Sequence, residues 1–115
     1  NKHRAGMGLN ALAMQDAITK EAETHSRNMA SKKVPFSHTG FDERATRIRR
    51  QLKTVNAWAE NVAFGANTAR EAVDMWLSSN GHRKNIEGCY NLTGIGIARS
   101  AAGELYFTQI FVQKN

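Results

Sequence analysis

The sequence predicts an α+β fold in which helices cover both faces of a central sheet. Residues 12–31 carry an apolar stripe at helical spacing, whereas residues 92–99 and 104–113 have the composition of β-segments. The run Ser100-Ala101-Ala102-Gly103 joins those two segments and is a hairpin signature. The second segment is apolar on both of its faces, so we expect it at the centre of the sheet, beneath helices on either side.

Length and charge narrow the class of protein. The chain has 115 residues, so we expect a single domain, residues 1–115. Its 16 Lys and Arg against 10 Asp and Glu give a net charge of +6, which favours anionic partners without choosing among them. No stretch approaches the ~20 apolar residues of a membrane span, and the lone Cys89, which we expect to be buried, excludes an intrachain disulfide. Because the chain begins without methionine, we expect an upstream segment to have been removed.

The first third of the chain reads as a helix end, a long helix and a loop. Residues 1–8 are the end of a helix closed by a glycine, and the stripe of the long helix comprises Met14, Ile18, Ala22, His25 and Met29. His25 lies on this apolar stripe, so we interpret it as a hydrogen-bonded core residue rather than a ligand. Pro35 prevents the helix from continuing and puts His38 in a loop, where functional side chains are common.

A short basic helix is predicted from Asp42 to about Lys53. It places Arg44, Arg47 and Arg50 on one side and turns Ile48 and Leu52 inward. We interpret the basic face as solvated, because nucleic-acid-binding surfaces interleave stacking aromatics with their cations and none is present here. We therefore expect no nucleic-acid partner.

Glu60 breaks the pattern of the strand that follows. Trp58, Glu60, Val62 and Phe64 occupy alternate positions and share one face, and all but Glu60 are large and apolar. Burial of an unpaired carboxylate is costly, so Glu60 should lie at an opening or meet a donor such as histidine. This makes Glu60 the first candidate site residue.

A well-signalled helix comes next. Thr68 and Glu71 form a capping box at its start, and its apolar face comprises Ala69, Ala72, Val73, Trp76 and Leu77. Gly81 suits the left-handed position that closes a helix, so we expect His82 at a sharp corner and residues 82–87 in a short turn. From that corner the side chain of His82 can point back across the sheet.

Gly94 and Gly96 lie within the first predicted hairpin strand. Together with Ile95 they suggest a dinucleotide-binding loop, but the third glycine is missing and a strand follows instead of a helix. We expect the two glycines to allow a close approach of another backbone or a bulge.

His38, Glu60 and His82 are the candidate residues for chemistry. Two neutral imidazoles with a carboxylate make an acceptable zinc site with an open position, the carboxylate either ligating directly or orienting an imidazole. Alternatively, Ser78 or Ser79 with His82 and Glu60 supplies a nucleophile, a base and an orienting acid, although no Gly-x-Ser-x-Gly motif accompanies the serines.

Five motifs give the chain a resemblance to a known family: FSHTGFDER, AENVAFG, WLSSNGHRKNI, NLTGIGIA and LYFTQIF. Together they resemble the CAP superfamily of cysteine-rich secretory, antigen 5 and pathogenesis-related 1 proteins, above all its compact bacterial members. The resemblance implies a three-layer α-β-α sandwich with a central, largely antiparallel sheet and an open cleft. It matches His38 to the first cleft histidine, Glu60 and Asn61 to the family's Glu-Asn pair, and His82 to the histidine of its Gly-His motif.

The match is incomplete at one cleft position. In eukaryotic relatives a second acid lies three residues after the helix tryptophan, where this chain has Ser79, which weakens metal binding in the cleft. The family's disulfides are also missing. The resemblance further implies a protein that is secreted or held in the cell envelope.

Fold resemblance leaves the activity open. We expect a monomeric binding module that requires no cofactor and whose cleft holds a divalent cation such as zinc through His38 and His82, with Glu60 either as a further ligand or as the group that orients an imidazole. Metal-assisted or serine hydrolysis in the same cleft is the alternative, so enzymatic activity stays undecided. A third possibility is binding of lipid, sterol or an anionic envelope component through the basic face of Arg44, Arg47 and Arg50.

Overall fold

A computed structural model describes all residues, 1–115. The helices are α1 (Lys2–Gly6), α2 (Asp16–Ala30), α3 (Phe41–Leu52), α4 (Ala69–Leu77) and α5 (Asn80–Ile86). The strands are β1 (Ala13–Met14), β2 (Val55–Phe64), β3 (Leu92–Arg99) and β4 (Leu105–Lys114). No helix combines the length and the apolar character that crossing a bilayer requires.

The four strands form one sheet in the order β1-β3-β4-β2. Strand β4 pairs antiparallel with both β2 and β3, while the two-residue β1 pairs parallel with β3. The sheet is therefore mixed, but it is antiparallel everywhere except at this short edge strand, which confirms the expected largely antiparallel sheet. The central place of the last strand is confirmed.

Helices cover both faces of β4. On one face, Ile18 and Ala22 of α2 and Ile48 of α3 pack against Ile110 and Val112. On the other face, the buried cluster is Leu12, Ala63, Ala66, Ala72, Trp76, Ile86, Phe107 and Phe111. Side chains of a strand alternate between faces, so this strand needs apolar residues at every position that both layers cover. The result is an α-β-α sandwich.

Glycines bring α2 directly onto β3. A Cβ atom added to Gly94 would lie 2.3 Å from the backbone nitrogen of Thr19, and one added to Gly96 would lie 2.3 Å from the carbonyl carbon of Ala22. The close approach expected at these positions is confirmed. Any larger residue would push α2 away from the sheet.

The apolar stripe that predicts α2 begins too early in the chain, because it includes Met14. Ile18, Ala22, His25 and Met29 are buried, but Met14 lies in β1 and is 61% exposed. The backbone of residues 13–15 donates hydrogen bonds to Asn91 and Thr93 instead of entering the helix. Pairing with β3 therefore overrides the helical spacing at this end.

The region after α4 also differs from the prediction. The Thr68 cap is confirmed, since Thr68 Oγ1 accepts a hydrogen bond from the Glu71 amide at 3.1 Å. Residues 82–87 do not form a short turn, because a new helix, α5, begins at Asn80 and includes Gly81, whose φ is not positive. His82 thus projects from a helix.

Cys89 is exposed, so the expectation that it is buried was wrong. It lies in the short segment between α5 and β3, where Tyr90 is the side chain that packs against the core. The partly buried Tyr90 therefore makes the core contact that we assigned to the cysteine.

Candidate functional site

The loop between α2 and α3 meets strand β2 at a histidine–glutamate contact. His38 Nδ1 lies 2.9 Å from Glu60 Oε1. Glu60 points to the face of the sheet that α2 and α3 cover and is only 5% exposed, whereas the side chain of His38 is 48% exposed. The sequence predicted that a buried carboxylate at this position needs a hydrogen-bond donor such as histidine. His38 is that donor.

Arg44 is the functional residue that the sequence reasoning missed. Its Nε donates to Glu60 Oε2 at 2.7 Å and its Nη2 donates to Glu60 Oε1 at 2.6 Å, which makes a two-point ion pair. Arg44 is 4% exposed, so its assignment to a solvated basic face was wrong. The spacing held the signal, because Arg44 lies four residues before Ile48 and eight before Leu52 and therefore shares their inward face.

The same guanidinium also holds the loop that carries His38. Arg44 Nη1 donates to the Thr39 carbonyl at 2.7 Å and Nη2 donates to the His38 carbonyl at 3.3 Å. Nη1 also donates to His25 Nδ1 at 3.1 Å. With the bonds to Glu60, all of its N–H donors have partners. Arg44 thus connects α3, β2, α2 and the loop at one point.

His25 is part of this network and is held neutral. Its Nδ1 accepts from Arg44, so the proton lies on Nε2, which donates to the Ser37 carbonyl at 2.8 Å. Burial lowers the pKa of His25 below its ordinary value, and the nearby positive charge of Arg44 acts in the same direction. These contacts are those of a hydrogen-bonded core histidine.

Glu60 is held as a carboxylate. Burial by itself raises its pKa, but the hydrogen bonds from His38 and Arg44 outweigh burial and leave the pKa below its ordinary value. An ionised carboxylate can only accept, so the shared proton of the His38–Glu60 contact lies on His38 Nδ1. In the neutral form of His38, Nε2 is therefore the ring nitrogen without a proton.

His82 is positioned by two asparagines between β2 and α5. Asn61, which is fully buried, donates from Nδ2 to the His82 carbonyl at 3.1 Å, and its Oδ1 accepts from Asn85 Nδ2 at 2.8 Å. Asn85 also donates to the Glu60 carbonyl at 3.3 Å. These bonds fix the start of α5 beside the strand residue that carries the carboxylate.

The imidazole of His82 lies near enough to His38 for their charges to interact. Burial lowers the pKa of His82, and the charge of His38 lowers it further, so both effects favour a neutral ring. The side chain of His82 makes no hydrogen bond to His38 or Glu60 within the protein. The three candidate residues therefore form one tight pair and one neighbouring ring.

The contacts of Glu60 make it poorly suited to ligate a cation. Glu60 already accepts from a guanidinium and an imidazole, and the positive charge of Arg44 beside it opposes a cation at its oxygens. Of the two roles open to the carboxylate, orientation of an imidazole fits this geometry. No group of three His, Cys, Asp or Glu side chains is arranged to hold a metal ion. Nε2 of His38 and both ring nitrogens of His82 make no hydrogen bond within the protein.

Neither candidate nucleophile contacts the histidine. Ser78 Oγ donates to the Asp74 carbonyl at 3.0 Å, and Ser79 precedes α5 without a side-chain hydrogen bond. No bond joins either serine to His82.

The basic face predicted on α3 does not exist as a unit. Arg44 is buried, and Arg47 pairs with Glu21 of α2 at 2.8 Å. The hydrogen bond to Glu21 raises the pKa of Arg47, so its charge is retained but neutralised locally. Arg50 alone among the three is exposed without an ion pair.

An α-β-α sandwich with a histidine–glutamate cleft between a loop and a central sheet defines a CAP-type domain. The chain belongs to the cysteine-rich secretory protein family, CAP, whose sequence profile matches residues 1–111. The resemblance seen in the motifs is thereby confirmed.

Relatives of this chain are bacterial. It is 31% identical over 116 positions to the uncharacterized protein YkwD of Bacillus subtilis and 28% identical over 117 positions to the uncharacterized membrane protein YlbC of the same organism. Each alignment covers 99% of this chain but only 44% of YkwD and 32% of YlbC. The chain thus spans less than half the length of these relatives.

Solved structures share the fold. An extracellular protein containing an SCP domain from Bacillus anthracis matches with a TM-score of 0.81 at 28% identity, over 99% of this chain and 37% of that one. An outer surface protein of Borrelia burgdorferi matches with a TM-score of 0.82 at 19% identity, over 99% of this chain and 86% of that one. At that identity the second likeness concerns the fold alone.

Proposed function

We propose that this CAP domain is an extracellular binding module whose cleft holds a divalent cation such as zinc between the imidazoles of His38 and His82. The observation that carries the proposal is the 2.9 Å contact between His38 Nδ1 and Glu60 Oε1, because it leaves Nε2 of His38 free to ligate. A bound cation would offer its remaining coordination positions to water or to an oxygen-bearing ligand. Glu60 acts by orienting His38, and Arg44 acts by holding Glu60 and the loop.

Location outside the cell rests on one structural relative. The matched protein of Bacillus anthracis is described as extracellular. We extend that location to this chain as part of the proposal.

Binding takes precedence over catalysis for two reasons. Neither Ser78 nor Ser79 contacts a base, so a serine nucleophile lacks its partner. Glu60 is held as an ion by Arg44 and His38, so it is poorly placed to accept a proton from a substrate. Hydrolysis by this domain would appear as turnover of an ester or peptide that His82→Ala abolishes.

Zinc titration by calorimetry near neutral pH tests the cation proposal. Wild type should bind one ion per chain, and both His38→Ala and His82→Ala should abolish measurable binding, because a single imidazole cannot retain the ion. His3→Ala is the matched control, since His3 pairs with Glu87 away from the cleft and should leave binding unchanged. Absence of zinc binding by the wild type, or loss of binding in the His3 variant alone, would refute the assignment.

A second candidate function is lipid binding in an apolar cavity on the other face of the sheet. The cavity has a volume of about 670 Å³ and lies between α1, α4 and the sheet. Its apolar lining includes Leu12, Val73, Leu77, Ile86 and Phe111, and Lys2 and Arg70 add two positive charges against the one carboxylate of Asp74. An acyl chain suits the apolar lining, and an anionic headgroup suits the excess of cations.

Displacement of a fluorescent fatty acid tests the second candidate. Val73→Trp should fill the cavity and abolish binding of the probe. Met75→Trp is the matched control on the same helix, because Met75 is 47% exposed and does not line the cavity. Equal affinities in the two variants would exclude this cavity as the lipid site.

A further inference from the structure

A second groove, distinct from the cleft and from the apolar cavity, lies between the end of α2 and the β3–β4 hairpin. Its volume is about 610 Å³, which is within the range of small-ligand pockets. Its charged lining residues are Arg27, Lys32, Arg99 and Glu104. None of the residues that line it belongs to the other two sites. We name it the basic groove.

The cations of the basic groove have no acidic partner. Arg27 bonds to the Thr24 hydroxyl, Lys32 to the Tyr106 hydroxyl and Arg99 to the Gly103 carbonyl, all of which are neutral acceptors. None of the three takes part in an ion pair, and Glu104 is the one carboxylate among the lining residues. Three unneutralised cations in one concave surface repel each other and create a positive potential that an anionic ligand relieves.

Lys32 adds an independent observation. Its φ is +65°, in the left-handed region that favours glycine, and it stands directly after the C-terminal cap of α2, where glycine is the usual residue. A lysine at this position carries a local backbone cost that glycine would avoid. The Lys32 ammonium group lies 5.8 Å from the centre of the Tyr106 ring and bonds to the Tyr106 hydroxyl, and these neutral contacts leave its positive charge available at the groove.

The lining restricts the kind of anion. Two guanidinium groups and an ammonium group suit phosphate, because a guanidinium can bind two phosphate oxygens at once. The uncharged lining is small, Ala30, Ser31, Ala98, Ser100, Ala101 and Ala102, so the groove has no aromatic ring on which a nucleobase could stack. A concave groove of this kind also fits a linear polymer better than it fits a flat bilayer. We propose that the basic groove binds the phosphate groups of a linear polyol phosphate chain.

Fluorescence anisotropy with labelled poly(glycerol phosphate) tests this proposal. The triple variant Arg27→Gln, Lys32→Gln, Arg99→Gln should bind about tenfold more weakly than wild type. The matched control Lys20→Gln, Lys53→Gln, Lys84→Gln removes the same charge from exposed positions outside the groove and should lose much less affinity. Equal losses in the two triple variants would mean that net charge alone attracts the polymer, which overturns the proposal.

Single substitutions separate binding from a structural role. Lys32→Gly should weaken binding, because it removes a phosphate-binding side chain. It should also raise the melting temperature, because glycine adopts the left-handed backbone conformation without strain. Glu104→Gln should tighten binding, since it removes the opposing charge. A Lys32→Gly variant that gains stability without losing affinity would assign Lys32 no part in the site.

Competing polymers decide the chemistry of the ligand. Polyglutamate of equal charge should bind more weakly than poly(glycerol phosphate) if phosphate is recognised. Single-stranded DNA that binds more tightly than the polyol phosphate would overturn the choice of polymer in favour of nucleic acid. Failure of the wild type to bind poly(glycerol phosphate) at low salt would overturn the proposal as a whole, and would leave the cation and lipid proposals standing because they use other residues.

Discussion

Arg44 and Arg47 lie three positions apart on α3, and each pairs with a glutamate, yet their surroundings differ. The Arg44 and Glu60 side chains are 5% and 1% exposed, whereas those of Arg47 and Glu21 are 49% and 13% exposed. The buried pair is joined to a loop, a strand and a histidine, while the other pair only links two helices. The comparison teaches that an ion pair organises a site when burial leaves its charges no alternative partner.

Loss of the buried arginine should have the largest effect. Arg44→Met leaves Glu60 charged, buried and without its main partner, so we expect the free energy of unfolding to fall by about 3–5 kcal/mol. Urea denaturation measures this loss. If the variant does not fold, Arg44→Lys keeps the charge but not the two-point geometry, and it should still be clearly less stable than wild type. A loss no larger than that of Arg47→Met would break the comparison.

Acidification should have the second-largest effect, through the buried pair of Arg44 and Glu60. The folded pKa of Glu60 lies below its unfolded value, so its contribution to stability is complete above about pH 4.3 and is lost as pH falls through the folded pKa. Urea midpoints between pH 6 and pH 3 should fall more steeply for wild type than for the double variant Arg44→Met, Glu60→Gln. Identical slopes would mean that the pair makes no special contribution to acid sensitivity.

Protonation of His25 should cause a smaller loss of stability, and at a milder pH. Its folded pKa is below its unfolded value of about 6.5, chiefly because of burial, so its contribution is complete above that value and declines as pH falls. The unfolding free energy should therefore decrease between pH 7 and pH 5, and His25→Gln should flatten this part of the curve. His3→Ala serves as the control, since His3 lies outside the Arg44 network. A curve that His25→Gln leaves unchanged would contradict a buried neutral imidazole.

Loss of the exposed arginine, Arg47, should have the smallest effect on stability. Arg47→Met should change the free energy of unfolding by at most about 1 kcal/mol, because water screens the pair and solvates either partner alone. The difference from wild type should shrink further in 1 M NaCl, where the screening length is about 3 Å. Thermal unfolding at low and high salt measures both values, and a salt-independent loss would point to packing of the side chain instead.

Local signals predicted the elements well where no other strand competed for the backbone. The Thr68 cap and the β3–β4 hairpin depend on residues within a few positions of each other, and both are present. The start of α2 and the segment after α4 were mistaken. Met14 pairs with β3 through the backbone, and Gly81 continues into a helix, because contacts with distant residues outweigh a weak local preference.

Only part of the candidate site could be predicted from the sequence. Glu60 stood out because a carboxylate interrupts an apolar strand face, and His38 stood out because it follows the only proline in a loop. Arg44 was assigned to the surface because it lies in a run rich in arginine, although its spacing to Ile48 indicated the opposite face. Asn85 carried no pattern at all, and only the hydrogen bonds to Asn61 and Glu60 identify its role.

By itself the sequence determined the fold class, the central strand, the glycines that admit α2 and the buried carboxylate that demands a partner. These follow from periodicity, residue size and the cost of burying charge, which are properties of short segments. The tertiary structure alone decided that Arg44 meets that carboxylate, that His82 leaves a helix and that unpaired cations gather in the basic groove. Such pairings join residues far apart in the chain, and they depend on how the helices pack on the sheet, which no local pattern encodes.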